Sequence, residues 1–318
     1  MDDPRPATLH SMVRRTQGPA EPVKARPAHL HKKMSPEEAF RITLSDCLAQ
    51  MTANAATLRA GRSVEGLHQL RVGFRRLEVA LGAFATEFEK HWLEELRSRA
   101  KILSSRLGPA RDLDVFIGER LDRTVATRDR DVLAPLRARA ETQRDLAWKQ
   151  ASECVAGGDF ALFLDDVAGL AQSRLPLAQH TDLPGVAARI LTRQNKRAIK
   201  RGRKAESRDE ADLHRLRIAL KKLCYTAEFF ASLYPQKQVK RYIKKVRQLQ
   251  EHLGEINDIA HVRTTISAML QDKPTPNDGD LRFAAGMVSG WYRARRPRLA
   301  KKALKRWDRF REIKPFWV

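Results

Sequence analysis

The stretch LHQLRVGFRRL (Leu67 to Leu77) returns almost unchanged as LHRLRIALKKL (Leu213 to Leu223), 146 residues further on. A second block keeps the same offset: LSSRLGPARD (Leu103 to Asp112) aligns with LQEHLGEIND (Leu249 to Asp258). One spacing shared by two blocks implies a duplicated unit. At 146 residues it is too long for a solenoid repeat of about 20–50 residues and has the size of a half-domain, so the chain is expected to build one structure twice.

The repeated stretch reads as helix. At 100° per residue, Leu67, Leu70, Phe74, Leu77, Leu81 and Phe84 share one apolar sector, while His68, Arg71 and Arg75 fall within about 60° of each other on a neighbouring face. The second copy sets His214, Arg217 and Lys221 at the same angles. Ser35-Pro36-Glu37-Glu38 is a strong helix start, with Ser35 as N-cap and acids in the first turn. Beyond it helix follows helix, with breaks expected at Gly61-Arg62-Ser63, Leu107-Gly108-Pro109, Gly157-Gly158-Asp159, Pro176 to Pro184, Gly202, Leu253-Gly254 and Lys273 to Asp280. No segment shows the period-2 alternation of a strand. The fold class is therefore all-α. Residues 1–34, rich in Pro, Arg and Ala without periodicity, are expected as a disordered basic arm, followed by a first helical half (35–180) and a second (181–318).

Charge narrows the partners. The chain carries 61 Lys+Arg against 38 Asp+Glu, a net charge of +23, which points to nucleic acid, an acidic membrane surface or a phosphate polymer. Cys47, Cys154 and Cys224 are scattered, fitting a reducing compartment better than a disulfide framework. No secretory segment or membrane span is visible, so a cytoplasmic protein without membrane association is expected.

The basic residues are organised. Arg97 and Lys101 flank the apolar side of the helix ending at Leu107, and Lys240, Lys244 and Arg247 flank its second copy. A third basic helix runs from Arg189 to Lys204, where Arg193, Lys196 and Lys200 share a face with Arg197 nearby. A solvated surface face is the ordinary reading of such a helix, but no carboxylate lies between Arg189 and Lys204. Cations beside a packing seam need carboxylate partners or a polyanion between them. His68 and His214 fit either a structural hydrogen bond or donation to phosphate. Metal ligation is disfavoured, because no second ligand stands at i+3 or i+4. Asp112, Asp114 and Asp258 are expected to cap helices or orient arginines. With no phosphate-cradling glycine motif, neither catalysis nor a cofactor is expected.

These residues resemble the CHAD domain family (conserved histidine α-helical domains). Its repeated signature matches Leu67-His68-Gln69-Leu70-Arg71-Val72 with Arg75-Arg76, and Leu213-His214-Arg215-Leu216-Arg217-Ile218 with Lys221-Lys222. Its LG..RD.DV turn matches Leu107 to Val115 and, more loosely, Leu253 to Asp258, where Asn257 replaces the arginine. Lys314-Pro315-Phe316-Trp317 resembles the family's ending. The resemblance implies two four-helix-bundle halves related by a pseudo-twofold axis, and non-catalytic binding of inorganic polyphosphate in a basic channel or cleft, at polyphosphate granules. The implied contacts are His68, Arg71, Arg75, Arg76, His214, Arg217, Lys221 and Lys222, joined by Arg97, Lys101, Arg193, Lys196, Arg197, Lys200, Lys244 and Arg247. Cys47, Gln50 and Asn54 stand where the second half has Arg193, Lys196 and Lys200, so a stronger second half is expected. Many relatives carry a CYTH triphosphatase barrel with an ExExK motif. The nearest approach here, Glu87-Phe88-Glu89-Lys90-His91, has its lysine one place early, and no triphosphatase activity is expected. The competing readings are a nucleic-acid binder, which lacks interleaved aromatics at 7% aromatic content, and a polyphosphate-processing enzyme.

Overall fold

A computed structural model of the chain describes residues 21–88, 92–124, 127–173, 182–271 and 278–318. Ten α-helices are present among them: α1 (Pro36–Ala60), α2 (Val64–Phe84), α3 (Trp92–Arg106), α4 (Gly108–Val115), α5 (Ala134–Ala156), α6 (Gly158–Gln172), α7 (Leu183–Ala205), α8 (Glu210–Phe229), α9 (Gln236–Gln271) and α10 (Asp278–Arg311). The start of α1 is a full capping box: Ser35 Oγ accepts from the Glu38 amide at 3.1 Å, and Glu38 accepts from the Ser35 amide at 2.7 Å.

The apolar stripes close two rings. Helices α1, α2, α3 and α6 pack around one core, with Phe74 of α2 against Phe160 and Phe163 of α6. Helices α7, α8, α9 and the end of α10 form the other, where Tyr242 meets Phe310 and Trp307 covers Gly202. Each ring is prolonged by a helix pair, α4 with α5 and the far end of α9 with the start of α10; α5 packs on α10 across the halves. Shifting α1 and α2 by 146 residues lands on α7 and α8 to within one residue at each end. The ring of Phe84 lies 5.6 Å from that of Phe230, its own counterpart, so the pseudo-twofold axis passes close to this pair.

The halves differ where the sequence supplies a breaker to one alone. Pro109 begins α4, separating it from α3, whereas Glu255 stands in its place and α9 runs unbroken through Gly254. Gly157 and Gly158 separate α5 from α6, whereas Ala303 and Leu304 let α10 continue. Breaks expected at Gly202 and Leu253-Gly254 are thus not breaks. Glycine alone weakens a helix without ending it, and Gly202 serves packing: a Cβ there would lie 2.1 Å from the Trp307 ring. The breaks expected within 176–181 and 273–277 lie outside the described residues, as do residues 1–20 and 89–91, on which parts of the basic arm and of the near-ExExK stretch fall.

Residues 21–33 differ from the disordered arm expected there. They form an extended strap over the bundle: the Val23 amide donates to Asn54 Oδ1 (3.1 Å), Asn54 Nδ2 donates to the Val23 carbonyl (2.8 Å), and the Leu30 amide donates to Ser232 Oγ (2.9 Å). Ala28 and Leu30 are buried. An extended tract needs no periodicity to dock, only anchors and side chains that satisfy its backbone.

The two helix glycines make opposite predictions. Gly202→Ala forces the Trp307 ring to move and should cost about 1–3 kcal/mol. Gly254→Ala meets nothing within 4 Å and should stabilise α9 by about 0.5–1 kcal/mol. Thermal melts of the two variants against the parent chain check both.

Candidate functional site

The two copies of the signature face one another. Helices α2 and α8 pack together between the halves, and their cationic stripes meet along the seam. Lys221 has Arg217, Arg75 and Arg71 as charged neighbours, so Arg75 and Lys221, and Arg71 and Arg217, are counterparts under the offset brought to one place. Burial, then these three guanidiniums, lowers the pKa of Lys221 to about 7, against a weak upward pull from Asp258.

Fixed partners hold the seam in shape. Arg71 donates from Nη1 to the Leu107 carbonyl at the end of α3 (3.1 Å), with Asp112 at 3.9 Å. A Cβ on Gly108 would lie 3.2 Å from that Nη1, which is the local reason for glycine there. In the second half Asp258 faces Arg217 and accepts from Arg120 Nη2 at 2.6 Å. Arg120 comes from the first half, at the end of a π-helical turn (Phe116–Arg120) after α4. Asp112 and Asp258 are therefore ion-pair partners that orient arginines, not caps. Asp114 is buried away from them and accepts from Trp148 Nε1 at 3.1 Å.

The seam continues across Glu78. This carboxylate is raised by burial and lowered by Arg97, Lys222, Lys101 and Arg75 around it. Lys222 is held below the ordinary lysine range by burial and by Arg97 and Arg197. From there α7 extends the surface: Arg197, Lys200, Arg201 and Lys204 line a hollow of about 490 Å³ together with Arg215 and Lys222 of α8.

Several of the expected contacts lie apart. Arg193 is bound to the end of α2 through Thr86, the Ala83 carbonyl and Glu87, and Arg189 pairs with Glu87 at 2.8 Å. The carboxylate missing from α7 is thus supplied from the turn that follows α2. Lys196 is exposed further along α7, beside Arg193 and Lys200. Arg76 points to a different face of α2 from Arg75. The small apolar cluster of Val79, Ala80, Phe229 and Tyr225 stands between them, with Arg75 beside Tyr225 and Arg76 over the Phe229 ring at 5.3 Å. Lys244 and Arg247 line a groove with Arg76 on that other face.

The histidines are not equivalent. His214 is tied to α9 by a 2.7 Å hydrogen bond between Nδ1 and Asn257 Oδ1. Under the offset Asn257 corresponds to Arg111, and His68 accordingly faces a cation: burial, then Arg111, lowers its pKa. Arg111, Arg120 and His261 also lie by the seam and are not among the contacts that the sequence implies. Arg111 sits in the repeated LGPARD block and is legible there. Arg120 follows the turn without a repeated counterpart to mark it. Among the described residues, no group of three or more His, Cys, Asp and Glu side chains could hold a metal ion, and no helix is long and apolar enough to cross a membrane. All three cysteines are free and buried.

Comparison with known proteins agrees with this architecture. A search of curated proteins found no match. Among solved structures, the chain is similar to the CHAD domain from the plant Ricinus communis, at a TM-score of 0.80 and 26% identity, over 92% of this chain and 98% of that one. It shares its fold with PptA from Streptomyces chartreusis, at a TM-score of 0.68 and 16% identity, over 87% of this chain and 100% of that one. The CHAD domain family pattern matches residues 42–267, most of the chain, and takes in both copies of the signature: the chain belongs to the CHAD domain family.

Proposed function

We propose that the chain binds inorganic polyphosphate, without acting on it chemically, along the seam between α2 and α8. The observation that carries this reading is the convergence of Arg71, Arg75, Arg217 and Lys221 in a half-buried place where Asp112, Asp258 and, beside Arg75, Glu78 are the facing carboxylates. A linear polyanion neutralises such a row without the geometric demands of a buried carboxylate. Phosphate oxygens accept charge-assisted hydrogen bonds from the guanidiniums, and released counterions add to affinity. His68 and Arg111 extend the row at one end; Arg97, Lys101, Lys222, Arg197 and Lys200 extend it at the other. Because α7 adds cations on the second half alone, the polymer makes more contacts there. Asp112 and Asp258 are engaged by arginines, which supports binding over catalysis. Association with polyphosphate granules follows from the same multivalency.

Affinity should rise steeply from pyrophosphate to a polymer of about a hundred phosphates, since successive units add contacts at small entropic cost. Calorimetric titration of both ligands checks this, and equal affinities would falsify it. Competition with DNA and RNA at equal phosphate concentration decides between polyphosphate and nucleic acid as partner. Arg71→Ala with Arg217→Ala should weaken polymer binding at least about tenfold, given about 1.5–3 kcal/mol for each charged hydrogen bond, with an unchanged helical spectrum.

Lys221 gives the pH dependence. A polyanion favours its protonated form, so affinity is full below pH 7 and falls as pH rises above it. For folding the sign is opposite. The unfolded lysine keeps its proton up to the ordinary lysine value of 10.5 while the folded one releases it at about 7, so stability rises with pH across that window. In low salt without ligand, the parent chain should melt higher at pH 9 than at pH 6. Lys221→Met should reduce this slope, leaving the part that His68, His261 and Lys222 contribute in the same direction, melt higher than the parent at pH 6, and bind polyphosphate more weakly.

A further inference from the structure

The face of α2 that carries Arg76 opens on a groove of about 840 Å³, walled by α9 and edged by the strap, which Val79, Phe229 and Tyr225 separate from the cationic seam. Arg76 is only 4% exposed, and its Nε has no hydrogen-bond partner. The carboxylate nearest its guanidinium is Glu228 at 3.7 Å, which already accepts from Arg247 Nη2 at 2.8 Å and from the Cys224 thiol at 3.4 Å. Two guanidiniums therefore share one carboxylate. Lys240 and Lys244 stand on the same face of α9 as Arg247, and Lys24 and Arg26 come from the strap, against Glu251 as the other acid of the lining. Positive charge exceeds negative here as it does in the seam.

The rest of the lining has a different character. Val72, Val239 and Ile243 give the groove an apolar floor, and Gln248 contributes a buried Oε1 acceptor without a donor. Its volume lies within the range of about 300–1,000 Å³ usual for small-molecule sites. A bare phosphate polymer would leave the apolar floor and the orphan acceptor unused. A phosphate ester on an apolar body bearing a hydroxyl uses all three features: its phosphate meets Arg76, Arg247 and Lys244, its body covers Val72 and Ile243, and its hydroxyl donates to Gln248. We infer that this groove is a second anion site, distinct from the seam, that takes a compact phosphate ester of nucleoside monophosphate chemistry.

The test is calorimetric titration of the full chain with AMP, inorganic phosphate and tripolyphosphate, each also in the presence of saturating long-chain polyphosphate. AMP should bind at least about tenfold more tightly than inorganic phosphate, and should do so with polyphosphate present. The exposed pair Lys244→Gln with Arg247→Gln should abolish AMP binding and leave the affinity for long polyphosphate unchanged, whereas Arg71→Ala with Arg217→Ala should do the reverse. No saturation by AMP, equal affinity for AMP and inorganic phosphate, or displacement of AMP by polyphosphate would each overturn the assignment. Failure of the seam reading would show instead as loss of length-dependent polyphosphate binding with AMP binding intact.

Discussion

A pseudo-twofold axis between two copies of one helix makes each residue near it meet its own counterpart, and the chemistry of this protein depends on that constraint. At an apolar position the rule is harmless, as where Phe84 packs on Phe230. At a charged position it sets like against like. Arg71 and Arg75 meet Arg217 and Lys221, and no partner drawn from the axis itself can neutralise them. Compensation has to come from off the axis. It does so in duplicate, from Asp112 and Asp258, with Arg120 of the first half reaching over to Asp258 of the second. Two carboxylates against four cations leave the seam with a net positive charge.

Three faces of α2 divide the work. The leucine and phenylalanine stripe closes the first ring, the His68, Arg71 and Arg75 stripe meets α8, and the Arg76 face looks toward α9 and the strap. Arg75 and Arg76 are adjacent in sequence yet 100° apart around the helix. The apolar cluster between them keeps one polar environment from draining into the other. A helix wheel resolves this separation for α2 itself, but which helix faces each stripe depends on the packing of the halves.

That difference describes what the sequence makes legible. Periodicity separates packing faces from cationic faces, and the offset pairs Arg71 with Arg217 and Arg75 with Lys221, because both are properties of one helix and its copy. Glu87 as partner of Arg189 and Arg193 is invisible in the same reading, since it lies 102 and 106 residues away from them in the turn after α2. Gly202 and Gly254 look alike on paper; one is held by a tryptophan ring and the other merely tolerated. The strap escapes for another reason. Docking of extended chain depends on Asn54 and Ser232, a buried and an exposed polar residue with no pattern to announce them.

The strap also bears on the order of assembly. Val23 is fastened to α1 of the first bundle, while Leu30, seven residues on, is fastened to Ser232 beyond α8, a contact spanning 202 positions of sequence. During synthesis this tract leaves the ribosome before helices α1 to α10, yet its second anchor exists only after α8 has followed. It is therefore made before the helices it spans and can finish docking only after Ser232. A chain halted after the first bundle would have its strap fastened at Val23 alone, because the anchor for Leu30 lies beyond α8.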